Sequence, residues 1–117
     1  MTAIKSETRV LIGHCGVDSG QIMLADPCYM SGFKDGEDFA PAKAVNGQYP
    51  FSYNGACGAT LSDKGAGQLG NGMGVAVSSG WGDGVYPVYA DYDHDGKIAS
   101  VTIVFLDDED DYSEEDE

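Results

Sequence analysis

The chain has 117 residues, of which 42% are hydrophobic, enough for one compact domain with a core. Six basic residues stand against twenty acidic ones, giving a formal net charge of −14. So few cations argue against nucleic acid or an anionic membrane surface as a partner. No apolar run reaches the roughly 18–20 residues that span a bilayer.

The N-terminus and the cysteines predict where the protein works. The first seven residues lack the charged-then-apolar pattern of a signal peptide. Cys15, Cys28 and Cys57 form an odd set without paired spacing, which suits free thiols in a reducing compartment. We therefore expect a cytosolic location, with no signal peptide and no transmembrane segment.

Short β-strands are predicted wherever apolar stretches end at Gly, Pro, Asn or Asp. These strands span residues 9–12, 21–25, 49–53, 57–61 and 73–78. No segment has a sustained 3.6-residue apolar stripe, so helix content should be minor, and residues 31–47 fit either a loop or a helical turn. The pattern predicts an all-β fold, or a β-rich one with minor helix, arranged as a small antiparallel barrel or sandwich.

Asp18 lies in a Val-Asp-Ser-Gly sequence like the one around the nucleophile of chymotrypsin-like proteases. That chemistry needs a histidine base, an orienting aspartate and an oxyanion hole on a far larger scaffold. We predict instead that Asp18, Asp26 and Asp83 act structurally, by accepting hydrogen bonds from nearby backbone amides. The same three carboxylates are the candidates for partner binding or for a carboxylate-based enzyme.

His14 and the three cysteines could supply four zinc ligands. Structural zinc sites usually contain cysteines two to four residues apart, and this chain has no such pair. We expect free cysteines buried as small hydrophobic residues, and no metal or cofactor. A zinc site and a cysteine nucleophile are the alternatives.

The sequence Gly-Ala-Gly-Gln-Leu-Gly at residues 65–70 matches the G-x-G-x-x-G string of dinucleotide sites. Such a site needs a strand before the string and a helix after it, so that helix N-terminal amides meet the pyrophosphate. Here Asn-Gly-Met-Gly follows, and glycine disfavours a helix. We predict a flexible glycine loop, with a nucleotide site as the alternative.

Glycines flank Trp81, the single tryptophan, in Ser-Gly-Trp-Gly-Asp-Gly at residues 79–84. We predict a turn in which the Trp81 ring folds back onto the core. In the alternative, the ring is exposed beside Asp83 and binds a small ligand or anchors a protein interface. Tyr86 completes this set of candidate binding residues.

Period-2 alternation is clearest at residues 85–92 and 97–105. These segments predict an antiparallel C-terminal hairpin with a two-residue primed turn at Asp95 and Gly96, since such turns favour Asp-Gly. Pro87 predicts an edge strand or a bulge, because proline cannot donate a ladder hydrogen bond.

Asp91, Asp93 and Asp95 have the D-x-D-x-D-G spacing of the first half of an EF-hand loop. An EF-hand closes its coordination with a glutamate at loop position 12, which is Thr102 here, and its flanks are helices. A plain hairpin turn is therefore predicted, with weak cation binding by the three aspartates as the alternative.

Acidic residues concentrate at the C-terminus. Nine of the twenty lie in residues 107–117, which begin with Asp107, Asp108, Glu109, Asp110 and Asp111. We predict one β-rich domain at residues 1–106 and a disordered acidic tail at residues 107–117. Such a tail either keeps the domain soluble and prevents edge-to-edge strand pairing, or steers the protein to a basic surface.

Two stretches resemble a known family. They are Gly-Val-Asp-Ser-Gly-Gln-Ile-Met-Leu-Ala-Asp-Pro-Cys-Tyr at residues 16–29 and Gly-Asp-Gly-Val-Tyr-Pro-Val-Tyr at residues 82–89, with the hairpin that follows. Together they look like an uncharacterised domain-of-unknown-function family of bacteria and tailed phages, including phages of actinobacteria. The resemblance implies a small β domain and a phage origin, and it implies no mechanism.

These features favour a non-enzymatic, small acidic phage protein that binds and modulates a host protein with a basic surface inside the host cytoplasm. One alternative is a virion accessory protein of the capsid or tail. Another is a small-ligand-binding domain, or an enzyme that uses the Asp18, Asp26 and Asp83 carboxylates.

Overall fold

The computed structural model describes residues 9–35 and 40–106. The described residues divide into two compact units: a hairpin unit made of residues 9–17 and 84–106, and a helix unit made of residues 18–35 and 40–83. The acidic tail predicted at residues 107–117 lies outside the described residues. A single domain over residues 1–106 stays a prediction.

The described residues form six strands, one α-helix and two 3₁₀ turns. The strands and the helix are β1 (Arg9–Val17), β2 (Gln21–Ala25), α1 (Tyr53–Thr60), β3 (Ala66–Leu69), β4 (Gly74–Ser78), β5 (Gly84–Tyr92) and β6 (Ile98–Ile103). The 3₁₀ turns are Pro27–Gly32 and Gly70–Gly72. The prediction of a mostly β fold with minor helix is confirmed. The described strands form two open antiparallel sheets, and neither closes into a barrel.

The hairpin unit is a three-stranded antiparallel sheet in the order β1-β5-β6. β5 and β6 pair with Ala90 opposite Val101, which confirms the predicted hairpin. Inside this unit, Tyr86 is buried and packs edge-to-face on Phe105, with ring centroids 5.2 Å apart.

The hairpin turn differs from the predicted one. Asp93 N donates to Lys97 O at 2.8 Å and Gly96 N donates to Asp93 O at 3.0 Å, so the loop has three residues. A two-residue type I′ turn needs positive φ at both central positions. Of Asp95 and Gly96, only Gly96 has a positive φ, +86°. The prediction of a two-residue primed turn is therefore wrong.

Pro87 lies in the central strand, so the prediction that it marks an edge strand or a bulge is wrong. The Pro87 carbonyl accepts a hydrogen bond from Val104 N at 3.2 Å. Because the N–H and C=O of one strand residue point the same way, the missing Pro87 donor faces Val104, just beyond the end of β6. The hydrogen bond that Pro87 cannot donate is therefore missing from the end of the β5–β6 ladder and not from its interior.

In the helix unit, α1 packs on a second antiparallel sheet in the order β2-β4-β3. The core consists of three alanines, one leucine and one phenylalanine from the helix, the sheet and the segment before the helix: Phe51, Ala56, Ala59, Leu69 and Ala76. The predicted strands at residues 21–25 and 73–78 are confirmed as β2 and β4.

The helix α1 replaces the strand predicted at residues 57–61, and residues 49–53 form only isolated bridges at Tyr49 and Ser52 before the helix begins. Both predicted strands are therefore wrong. Ser52 starts the helix as its N-cap, because its side-chain oxygen accepts from Gly55 N at 2.9 Å. The buried residues of the helix are Gly55, Ala56, Cys57 and Ala59. Such small residues give no long apolar stripe, so the sequence contained no strong helix signal.

Glycines let α1 approach the chain that precedes it. A β-carbon on Gly55 would lie 1.8 Å from Pro50 O, and one on Gly58 would lie 1.9 Å from Ala42 O. Both distances are far below van der Waals contact, and the opposing atoms belong to the backbone. The glycines of this helix are therefore packing residues, although glycine weakens a helix by about 1 kcal/mol relative to alanine.

The glycine string at residues 65–70 is also partly ordered as sheet. Its residues Ala66–Leu69 form β3, with Gly67 opposite Ala76 of β4. The flexible loop predicted there is wrong for these four residues. A short 3₁₀ turn follows, and not the α-helix whose N-terminus a pyrophosphate would need.

Candidate functional site

The Trp81 ring is 71% exposed on the loop that follows β4 in the helix unit. The prediction that this ring folds back onto the core is therefore wrong. Glycines on either side leave no neighbouring side chain to shield the indole. This exposed aromatic residue is the centre of the candidate functional site.

The base of the Trp81 loop is fixed by Ser79, a fully buried serine. Ser79 Oγ donates to Gly82 O at 2.6 Å, and Ser79 N donates to Gly20 O at 3.0 Å. Trp81 N in turn donates to Ser79 O at 2.6 Å, which closes a tight turn at Gly80 with φ of +70°. The loop is therefore held at its base while the indole points to solvent.

Ser79 was not among the residues that the sequence predicted to matter. A serine followed by glycine at the end of a strand is a turn signal, because the hydroxyl can bond to the backbone nearby. That signal indicates a turn, and it does not indicate that Ser79 is buried or that its hydroxyl holds Gly82.

The three candidate aspartates behave differently. Asp26 Oδ1 accepts from Cys28 N at 2.9 Å and caps the turn Pro27–Gly32, so its predicted structural role is confirmed. Asp18 and Asp83 are exposed, and within the described residues neither carboxylate accepts a hydrogen bond. The structural role predicted for these two is therefore wrong, and Asp83 presents a free charge two residues from Trp81.

Tyr86 belongs to the hairpin unit, whereas Trp81 and Asp83 belong to the helix unit. Its side chain is buried against Phe105, so its observed role is packing. A part for Tyr86 in partner binding stays a prediction.

Asp91, Asp93 and Asp95 stabilise the hairpin rather than surround a common centre. Asp93 Oδ1 accepts from Asp95 N at 2.8 Å and from Lys97 N at 2.9 Å, and Asp91 Oδ2 accepts from Ser100 Oγ at 3.0 Å. Strands flank these residues, where an EF-hand has helices. In the part of the chain that the structure describes, no group of three or more His, Cys, Asp or Glu side chains is placed to hold a metal ion.

Cys57 is the buried thiol of α1 and has polar neighbours. Gln21 Nε2 donates to Cys57 Sγ at 3.6 Å, and Thr60 Oγ1 donates to Gln21 Oε1 at 2.9 Å. The charge of a Cys57 thiolate raises the pKa of Tyr53 above its usual value, and a hydrogen bond between these two side chains and desolvation act in the same direction. Residues 18–83 contain no histidine, so the helix unit offers this thiol no imidazole base.

The other two cysteines are less covered. Cys15 is half-buried and Cys28 is exposed, and all three thiols are free. The prediction of buried free cysteines is confirmed for Cys57 and is wrong for Cys28.

An open groove of about 660 Å³ lies in the helix unit. Its lining includes Tyr49, Asp63, Lys64 and Gln68. Ser79 is the single buried polar residue among those described, so no buried charge lies in this groove to fix a ligand. The volume suits a small molecule, but the polar groups that give specificity are exposed.

No helix of the described residues is both long and apolar enough to cross a membrane. A family model described as Protein of unknown function (DUF4241) matches residues 12–103. The predicted resemblance to a domain-of-unknown-function family is thus confirmed, and the match runs through the middle of the chain as well as the two motifs. No curated protein and no solved structure matches this sequence.

Proposed function

The chain belongs to the DUF4241 family of proteins of unknown function, and within that family we propose that it is a non-enzymatic protein that binds another protein through the Trp81 loop. The partner is a host protein with a basic surface, bound and modulated in the cytosol of a phage-infected bacterium. The observation that supports this proposal is the 71% exposure of Trp81 on a loop whose base is fixed.

An exposed tryptophan is a strong anchor for a protein interface. Tryptophan is enriched among the residues that dominate binding energy. A tryptophan in an interface covers about 150–250 Å², which contributes roughly 4–6 kcal/mol at about 25 cal/mol per Å² before ordering costs. Because Ser79 already holds the loop, little backbone freedom is lost on binding.

The charge of the protein supports a basic partner. The net charge is −14, and the exposed Asp83 carboxylate accepts no hydrogen bond within the described residues. Long-range attraction of this kind raises the association rate with a positive surface. A basic partner would thus meet both an aromatic anchor and an unpaired carboxylate at the same loop.

The test is a comparative capture from bacterial lysate, read by mass spectrometry, with wild type, Trp81→Ala and Val45→Ala. Val45 has the same fractional exposure as Trp81, 71%, so its variant controls for the loss of any exposed apolar side chain. A protein retained by wild type and Val45→Ala but lost with Trp81→Ala supports the proposal. Abundant peptides of this chain in purified phage particles would instead favour a virion role.

A further inference from the structure

One edge of the sheet in the hairpin unit pairs with no other strand among the described residues. β6 is the last strand in the order β1-β5-β6, and no described residue pairs with its outer side. Five of its six residues are exposed. An unpaired edge of this kind presents backbone N–H and C=O groups that can pair with another strand.

The register shows which groups face outward. Val104 N donates to Pro87 O, and Thr102 lies opposite Tyr89 in the same register. Because antiparallel hydrogen bonds alternate along a strand, Thr102 and Val104 bond towards β5. The backbone N–H and C=O of Val101 and Ile103 therefore point away from the sheet.

The sequence of β6 lacks the features that usually block an edge. Ile-Ala-Ser-Val-Thr-Ile contains no charged residue and no proline, and four of its six residues are β-branched. Leu106 follows three residues after the strand ends, and the next eleven residues contain nine carboxylates. A neutral pairing edge is thus continuous in sequence with the densest negative charge of the chain.

We propose that the outer edge of β6 binds an extended segment of a partner protein as a fourth strand, and that basic residues flank this segment. The inference rests on the proposed function, because it names a second surface for the same class of partner. Main-chain hydrogen bonds to Val101 and Ile103 provide the affinity. Attraction between the basic flanks and the carboxylates of residues 107–117 orients the segment and raises its association rate.

A second copy of this chain fits the edge less well than a basic partner. Each copy has a net charge of −14, so two copies repel one another as they approach. Like net charges oppose association. A basic segment replaces that repulsion with attraction.

The probe is the synthetic peptide Lys-Lys-Thr-Val-Thr-Val-Thr-Val-Lys-Lys, added to the full-length protein. Amide hydrogen exchange followed by NMR should slow about tenfold or more at Val101 and Ile103, because a hydrogen-bonded amide exchanges only after opening. Thr102 and Val104, which already bond to β5, should change little. The same peptide N-methylated at every Thr and Val amide has no edge left to pair and should protect neither Val101 nor Ile103, and a version flanked by glutamates should bind at least tenfold more weakly.

Two variants at one position test the backbone directly. Val101→Pro removes the outward N–H and should abolish peptide binding, whereas Val101→Ala keeps the N–H and should retain it. Deleting residues 107–117 should slow association about tenfold and weaken its salt dependence. If Val101→Pro fails to fold, the N-methylated peptide gives the same test with the wild-type protein.

The outcomes separate this inference from the proposed function. If the peptide leaves exchange at Val101 and Ile103 unchanged while Trp81→Ala still loses its captured protein, the edge proposal is wrong and the proposed function stands. Protection that rises with protein concentration, without peptide, would identify a second copy as the occupant and overturn the basic partner. Peptide binding at β6 in a protein that captures nothing through Trp81 would instead contradict the proposed function alone.

Discussion

The hydroxyl of Ser79 donates a hydrogen bond to the carbonyl oxygen of Gly82 at 2.6 Å, across the loop that presents Trp81. Ser79 is fully buried, while Trp81, two residues later, is 71% exposed. The loop thus combines an anchored base with an exposed aromatic ring. Interfaces gain affinity from this combination, because an anchored loop has less freedom to lose when a partner binds.

The Ser79→Ala variant should loosen the Trp81 loop without unfolding the protein. Loss of one hydrogen bond should lower the free energy of unfolding by about 0.5–1.5 kcal/mol in urea titrations. Fluorescence anisotropy decay of Trp81, the single tryptophan, should show faster local motion. The neighbouring Ser78→Ala variant is the control, since within the described residues the Ser78 side chain makes no hydrogen bond; equal decay in both variants would contradict the role of Ser79.

A methyl group at Gly58 should destabilise the helix unit. The new carbon would lie 1.9 Å from Ala42 O, so Gly58→Ala forces a backbone shift that should cost about 1–3 kcal/mol or more. Gly32→Ala is the matched control, because nothing lies within 4 Å of its added carbon and it should be near neutral. Thermal unfolding followed by circular dichroism compares them, and equal midpoints would show that α1 does not pack closely against Ala42.

Two aspartates of similar exposure should differ in their effect on stability. Asp93 Oδ1 accepts two backbone hydrogen bonds in the hairpin turn, so Asp93→Ala should cost about 1–3 kcal/mol. Asp83→Ala should stay within about 0.5 kcal/mol of wild type, as a surface substitution without such bonds. Chemical denaturation measures both, and a large loss for Asp83→Ala would indicate a structural role that the observed contacts do not show.

The pKa of Tyr53 should fall when Cys57 is replaced by alanine. In the folded protein the thiolate charge of Cys57 is the largest cause that raises this pKa, followed by their hydrogen bond. Because the pKa of Tyr53 is raised in the folded state, the folded state holds the phenol proton more tightly than the unfolded state does. The resulting contribution to the free energy of unfolding is present at neutral pH and is lost as the pH rises above about 10. NMR titration of the Tyr53 ring carbon measures the shift, with the other tyrosines as internal controls; an unchanged value in Cys57→Ala would contradict the coupling.

The sequence predicted those parts of the fold whose side chains alternate. The C-terminal hairpin, β2 and β4 follow from period-2 patterns and flanking turn residues. The helix α1 could not be predicted in this way, since its buried face consists of glycine, alanine and cysteine and depends on close backbone contacts. β3 could not be predicted for a related reason, because Gly67 has a low strand propensity and is held in the sheet by its pairing with Ala76 of β4.

The candidate site was only partly predictable. Trp81 and Asp83 were identified as candidates, but the exposure of the Trp81 ring depends on the buried Ser79 and on its bond to Gly82. These are tertiary features with no periodic signal. Asp26 was predictable because Asp followed by Pro at a turn is a local capping pattern.

The most direct test of the central claim is the dissociation constant of Trp81→Ala for the host protein captured by wild type. Isothermal titration calorimetry should show binding weakened about thirtyfold or more, the loss of about 2 kcal/mol that defines an interface hot spot. Val45→Ala, with equal exposure, should bind like wild type. A Trp81→Ala protein that folds normally and binds with the wild-type constant would contradict the assignment of the Trp81 loop as the binding surface.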